Sequence, residues 1–359
     1  MVSRAEAGAD LIRLARPDVG EEELAEVAAV LESGQLTMGP RVEEFERLVA
    51  EACRVEHALA VSSGTAALHL AVLAMGIGPG DEVIVPSYTF PATANVVALV
   101  GAKPVLVDVD PETMNIDPGA AAQAITKRTK AIVAVHLFGR PARLEELPPQ
   151  VPILEDAAGA LGARRNGDPC GGLGLVGCLS FHPRKIVTTG EGGAVTTNDD
   201  AMADTVRRMR HHGIEPNGDF NIASPGTNYR LADILCAVGI PQMRRLEDLL
   251  AQRTRVAERY AERLEGMVQV PRADHGDRHG WQAYVIQLDR RDEALAALRE
   301  QGIQCQIGTY ALHRLRAYRH QGSFPGADRC FERALALPFH TQLTEAEQDR
   351  VVAALAPFA

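Results

Sequence analysis

The chain contains no long uncharged apolar run, so no membrane-spanning helix is expected. Its first residues, MVSRAEAGAD, lack the apolar core of a secretory signal. Positive charge is in the minority, with 37 Lys and Arg against 47 Asp and Glu and a formal net charge of -10. That balance speaks against a surface that tracks nucleic-acid phosphates or anionic membranes. The six cysteines (Cys53, Cys170, Cys178, Cys236, Cys305 and Cys330) form no CxxC pair. No zinc or other metal site is expected from them, and their scatter fits a reducing, cytoplasmic compartment. Short-period repeats and low-complexity blocks are also missing.

What remains is the profile of a soluble globular protein, with 46% hydrophobic and 23% charged residues. Its 359 residues suffice for a large core and one or two domains. From residue 57 onward, short apolar runs alternate with helical patterns. HALAV (57–61), EVIVP (82–86), KPVLVDV (103–109), KAIVAVHLF (130–138) and VPILED (151–156) read as strands. TAALHLAVLAM (65–75), ATANVVALV (92–100) and AAAQAI (120–125) read as the helices between them. GCLSF (177–181) and GAVTT (193–197) form a closely spaced strand pair. The alternation predicts an open, mostly parallel α/β sheet with helices on both faces, in which ligands bind beyond the carboxyl ends of the strands. A long helical stretch, 231–267, is interrupted in pattern by Gly239 and Pro241 and leads into a smaller α+β region. The expected division is a large domain over 1–240 and a small one over 241–359. Residues 1–20 form an N-terminal segment, and those up to about Asp10 are expected to be a loose extension. Thr344 with Glu347 predicts a capping box on the last helix.

Five short segments could carry chemistry. In SSGTAALHL (62–70) a strand runs into small residues and a helix start, which makes either a simple cap or a cradle for an anion. In PILEDAAGALGA (152–163), Asp156 follows an apolar strand. It either caps a helix or holds a cationic ring nitrogen that keeps it ionised. In SFHPRKIVTTGEGG (180–193), Ser180 could bind phosphate and Lys185 could form a Schiff base with an aldehyde once burial or nearby cations lower its pKa. In PSYTFPATAN (86–95), Phe90 either packs in the core or stacks on a planar ligand. In GTNYRLADI (226–234), Asn228 and Arg230 are either local turn residues or reach a neighbouring subunit. Each signal alone is weak. Together they describe one ligand, a planar pyridine aldehyde bearing a phosphate.

These segments resemble the DegT/DnrJ/EryC1/StrS family of pyridoxal-phosphate-dependent sugar aminotransferases, which has the aspartate-aminotransferase (type I) fold. The resemblance runs through SGQLTMGPRVEEFE, SSGTAALHLA, GDEVIVPSYTFPATANVV, VHLFGRPA, ILEDAAGALGA, SFHPRKIVTTGEGGAVTTND, NYRLADI and GTYALHRLRAYR, nearly the whole chain. It implies that Lys185 is the Schiff-base lysine and proton shuttle and that Asp156 pairs with the pyridine nitrogen. It implies that Gly64, Thr65, Ala66 and Ser180 hold the phosphate of pyridoxal 5'-phosphate (PLP) and that Phe90 stacks on the ring. Asn228 is implied to reach the cofactor of a partner subunit, which makes the protein a homodimer with its site at the interface. One position departs from the family pattern. Many members carry Gln or His three residues after the aspartate, near the cofactor's hydroxyl, where this chain has Gly159.

The reaction implied is a transfer of the amino group of L-glutamate, by way of pyridoxamine phosphate (PMP), to a ketone of a nucleotide-linked keto-deoxysugar. His182, Arg184, Arg230, His313 and Arg314 are candidates for meeting the substrates or are ordinary structural residues. Three alternatives compete: a keto-inositol aminotransferase, a sugar dehydratase using the same cofactor, and a non-enzymatic cofactor-binding regulator. The presence of Lys185 disfavours the dehydratase, whose known examples replace that lysine. The net charge of -10 and the absence of a DNA-binding motif disfavour the regulator.

Overall fold

The computed structural model of the protein describes residues 11–215, 221–319 and 322–359. The expected loose extension lies outside them. Strands form where the sequence predicts. His57–Val61 and Glu82–Pro86 match their expected bounds, and the latter is buried along its whole length, as a strand covered on both faces must be. The large sheet has seven strands in the order His57–Val61, Gly193–Thr197, Val176–Ser180, Ile153–Asp156, Thr129–Val135, Glu82–Pro86 and Lys103–Val107. All run in one direction except Gly193–Thr197, which is antiparallel to both its neighbours. The sheet is therefore mixed but mostly parallel.

Helices cover both faces. Strand His57–Val61 shows this by alternation: Leu59 and Val61 enter one apolar cluster, Ala58 and Ala60 the other. The first cluster takes in helices Gly64–Ala74 and Ala92–Leu99, the second helices Pro40–Cys53 and Asp233–Arg244.

Three local expectations need correction. The run 130–138 is not all strand. It ends at Val135 and turns through Leu137–Gly139, where Phe138 takes a left-handed φ of 58°. The run 103–109 likewise ends as strand at Val107. Neither Gly239 nor Pro241 interrupts the long helical stretch. The first helix continues through both to Arg244, and Arg245 separates it from Leu246–Leu264. Gly239 is there for packing, since a Cβ at that position would lie 2.5 Å from the ring of Phe45.

Beyond this, Tyr284–Gln287, Ala334–Leu337 and Gln306–Ile307 make an antiparallel three-stranded sheet. Helices Arg291–Glu300 and Glu345–Leu355 pack on it, the latter started by the Thr344–Glu347 capping box. Ile12 joins the same cluster and bridges to Ile303. Tyr310–Ala311 pairs with Tyr88–Thr89, which ties this C-terminal region to the carboxyl ends of the large sheet. Among the described residues, no helix is long and apolar enough to cross a membrane.

Candidate active site

A cavity of about 530 Å³ opens at those carboxyl ends. Asp156 and Ser180 come from strands of the large sheet, Ser63, Gly64, Thr65 and Phe90 from segments that follow its strands, and Gln282, Gln306 and Tyr310 from the C-terminal region.

One end of the cavity is built from the start of helix Gly64–Ala74. Ser63 is its N-cap, and its Oγ accepts the amide of Ala66 at 3.0 Å. That commitment removes Ala66 from the expected anion donors, and Ala66 does not line the cavity. Among the described residues, the amides of Gly64 and Thr65 have no acceptor of their own. Ser180 lies directly beside them, because a Cβ on Gly64 would fall 2.8 Å from Ser180 Cβ. Gly193, paired with Ser180 across the hairpin, permits the same approach from the other side, where a Cβ would meet the Ser63 carbonyl at 2.5 Å. Two free helix-start amides and a hydroxyl thus converge, the donor set an anion requires.

Asp156 ends strand Ile153–Asp156 and is buried. Its Oδ2 accepts the Thr93 hydroxyl at 2.7 Å and its Oδ1 accepts the Ala158 amide at 3.2 Å. Burial raises its pKa above the ordinary carboxylate value, and those two hydrogen bonds and the Lys185 charge oppose the rise. Such a carboxylate gains by pairing with a cation in the cavity.

Lys185 sits in the loop between strands Val176–Ser180 and Gly193–Thr197, and its amide donates to the His182 carbonyl at 2.8 Å. Burial lowers its pKa to about 8. The Asp156 charge works against this shift and the Arg184 charge with it. His182 Nδ1 accepts the Arg184 amide at 3.2 Å, which leaves its ring proton on Nε2, and burial lowers its pKa. Arg184 donates from Nη1 to Gln306 Oε1 at 3.3 Å. Phe90 lines the cavity as a residue 61% exposed, its ring 6.2 Å from that of Tyr310. It is not a core residue, so an apolar face is left for a ligand.

The strand that delivers Asp156 carries a second acid on its other face. Glu155 is fully buried and accepts the amides of Gly171, Leu173 and Gly174 at 2.8, 2.7 and 2.6 Å. His136 Nε2 faces its Oε2 at 2.8 Å, while His136 Nδ1 accepts the Ala142 amide at 2.9 Å.

Of the predicted residues, Gly64, Thr65, Phe90, Asp156, Gly159, Ser180, His182, Arg184 and Lys185 meet in this one cavity. Asn228 and Arg230 lie outside the cavity of their own chain. Asn228 bridges to His211, and Arg230 Nη1 contacts His211 Nδ1. His313 is not a cavity residue either. It pairs with Asp328 at 2.9 Å and packs on Phe324, while Arg314 bonds Asp328 and Glu332. Sequence reasoning missed Thr93, which looks like any hydroxyl near a helix start. It also missed Gln282, Gln306 and Tyr310, which come from distant segments with no local signal.

The fold is that of an aminotransferase of the type I class. The chain belongs to the DegT/DnrJ/EryC1/StrS aminotransferase family, whose pattern matches residues 17–356. It is 41% identical to the GDP-perosamine synthase of Caulobacter vibrioides over 334 residues, covering 89% of this chain and 90% of that one. The aminotransferase TlmJ of Streptoalloteichus hindustanus superposes with a TM-score of 0.93 at 34% identity, over 97% of this chain and 98% of that one. Spr1654 of Streptococcus pneumoniae, solved in PLP and PMP forms, superposes with a TM-score of 0.92 over 97% of this chain and 98% and 97% of those chains, at 28% and 29% identity respectively.

Proposed function

We propose that the protein moves an amino group from L-glutamate to a ketone of a nucleotide-linked keto-deoxysugar, with PLP as cofactor. The observation that carries this reading is the meeting of Lys185 and Asp156 in one cavity, beside an anion cradle. The donor set suits the cofactor part by part. Gly64, Thr65 and Ser180 would bind its phosphate, Asp156 its protonated nitrogen, Phe90 its face and Lys185 its aldehyde. Bound PLP supplies an electron-accepting ring and carries the amino group between two half-reactions.

The residues do the rest. At pH 7.5 a pKa of about 8 leaves about a quarter of Lys185 neutral, against about one in a thousand at the ordinary 10.5. The neutral Lys185 Nζ takes the proton from the α-carbon of the donor and returns a proton to the carbon that receives nitrogen. Asp156, held by Thr93 and Ala158, keeps its negative charge against the ring nitrogen. Arg184 and the Nε2–H of His182 present donors to substrate oxygens in the same cavity. Asn228 is assigned to the cavity of a second copy, which makes the working unit a homodimer. The likeness to a GDP-perosamine synthase favours a nucleotide sugar over a keto-inositol as acceptor.

The test uses purified protein loaded with PLP. Its visible absorbance should fade on adding L-glutamate, with release of 2-oxoglutarate, and return on adding a nucleotide keto-sugar that becomes an amino sugar by mass. Lys185→Ala should lower turnover by about a thousandfold or more. Undiminished turnover in that variant would sink the assignment, and turnover with keto-inositols alone would move the acceptor class.

A further inference from the structure

Gly159 leaves a gap in the cavity wall three residues after Asp156, and another side chain lies over that gap. A Cβ built on Gly159 would be 3.4 Å from both Cγ and Oε1 of Gln282. These are ordinary contact distances, so Gln282 reaches the space that a side chain at 159 would enter. We propose that Gln282 donates the hydrogen bond to the ring hydroxyl of bound PLP, a role that rests on the cofactor reading above.

The position follows from the order of the strands. Strand Ile153–Asp156 lies between Val176–Ser180, which ends at the phosphate cradle, and Thr129–Val135. The residues after Thr129–Val135 hold the Gln282 loop, because the Gln282 amide donates to the Phe138 carbonyl at 3.1 Å. Gln282 thus stands on the far side of Asp156 from Ser180. In PLP the hydroxyl and the phosphate arm flank the aldehyde on opposite sides. With phosphate at Ser180, aldehyde at Lys185 and nitrogen at Asp156, the hydroxyl falls to the side of Gln282.

Few other groups there can serve it. Leu137, Phe138, Ala158 and Ala283 offer the cavity apolar side chains. His136 also lines the cavity, but its two ring nitrogens are committed to Glu155 and to the Ala142 amide. The Gln282 side-chain amide has one long bond, from Nε2 to the Arg184 carbonyl at 3.4 Å. It is free to re-aim.

The loop is also held in place. Arg253, buried, donates from Nη1 to the carbonyls of Trp281 at 2.9 Å and Gln282 at 3.4 Å. Gly139, at φ 95°, lets the loop press on the preceding turn, where a Cβ would meet the Trp281 amide at 2.8 Å. Gln282 is thereby presented on a fixed backbone.

A neutral donor to the ring oxygen draws charge from it and weakens its hold on the neighbouring Schiff-base proton. Removing the donor should raise the pH midpoint of the visible absorbance band and weaken cofactor binding. The experiment titrates that band from pH 5 to 10 and measures PLP affinity by fluorescence quenching. It compares the wild type, Gln282→Ala and the near-isosteric Gln282→Met, with folding followed by circular dichroism. We expect the midpoint to rise by about half a unit to one unit and affinity to fall about tenfold in both variants. Adding Gly159→Gln to Gln282→Ala should bring both values back toward wild type. An unchanged midpoint and affinity in Gln282→Met overturns the proposal, and that variant decides alone if Gln282→Ala does not fold. A double variant no better than Gln282→Ala overturns the claim that positions 159 and 282 serve one space. Absence of any visible band in the wild type overturns the cofactor reading, and this role with it.

Discussion

Thr93 Oγ1 donates to Asp156 Oδ2 at 2.7 Å, and both side chains are buried. Thr93 lies in the first turn of helix Ala92–Leu99, and Asp156 ends a strand more than sixty residues later. The hydroxyl stabilises the charged form of a carboxylate that burial pushes toward neutrality.

Thr93→Val keeps the shape and removes that donor. Asp156 should then hold its proton to higher pH and pair less well with a cationic ring nitrogen. A hydrogen bond to a charged group contributes about 1.5–3 kcal/mol, so PLP affinity should fall by roughly ten- to a hundredfold. The pH below which affinity is lost should move up. Fluorescence titrations between pH 5 and 8 measure both. Wild-type affinity across that range would show that Thr93 does not act through Asp156.

Lys185 gives a pH dependence of the opposite kind. Its amine must be neutral to attack, and its pKa is lowered to about 8. The rate at which cofactor-free protein captures PLP should rise with pH and level off with a midpoint near 8, not near 10.5. Asp156 opposes the lowering, so Asp156→Asn should move the midpoint down. The same shift bears on stability. The unfolded chain binds more protons than the folded one between pH 8 and 10.5, so cofactor-free protein should gain stability as pH rises through that window. Lys185→Met should remove this gain in thermal melts.

Gly64→Ala should damage the anion cradle while leaving the fold in place. The added Cβ would lie 2.8 Å from Ser180 Cβ, so the helix start and the strand end must separate. PLP affinity should fall about tenfold or more, whereas affinity for pyridoxal, which lacks the phosphate, should change little. Equal losses for both ligands would place the damage elsewhere.

The sheet and most of the residues that meet in its cavity are legible for one physical reason. In a mostly parallel sheet the strands are apolar runs, and their carboxyl ends carry the polar residues that follow. Asp156, Ser180 and Phe90 announce themselves by position, and Gly64 and Lys185 by neighbours. The resemblance in SFHPRKIVTTGEGG and SSGTAALHLA gave them roles. Ala66 was misjudged because its amide is claimed by Ser63, a competition decided by cap geometry. His313, open to either reading in the sequence, pairs with Asp328, fifteen residues on, outside the cavity of its own chain. Gln282 and Thr93 were invisible because what matters about them is a contact across the chain. The break at Arg245 escaped notice because glycine and proline usually end helices, and here a neighbouring ring asks for the glycine.

Consecutive acids on strand Ile153–Asp156 face opposite ways, one toward the cavity and one into the core. Sliding this strand by one residue would exchange them, sending Glu155 to the cavity and Asp156 into the protein. Glu155 accepts three backbone amides and a histidine N–H, and the shorter Asp156 side chain cannot reach the same partners from the same place. Glu155 therefore acts as a register key. The buried acid that faces away from the cavity fixes which acid lines it.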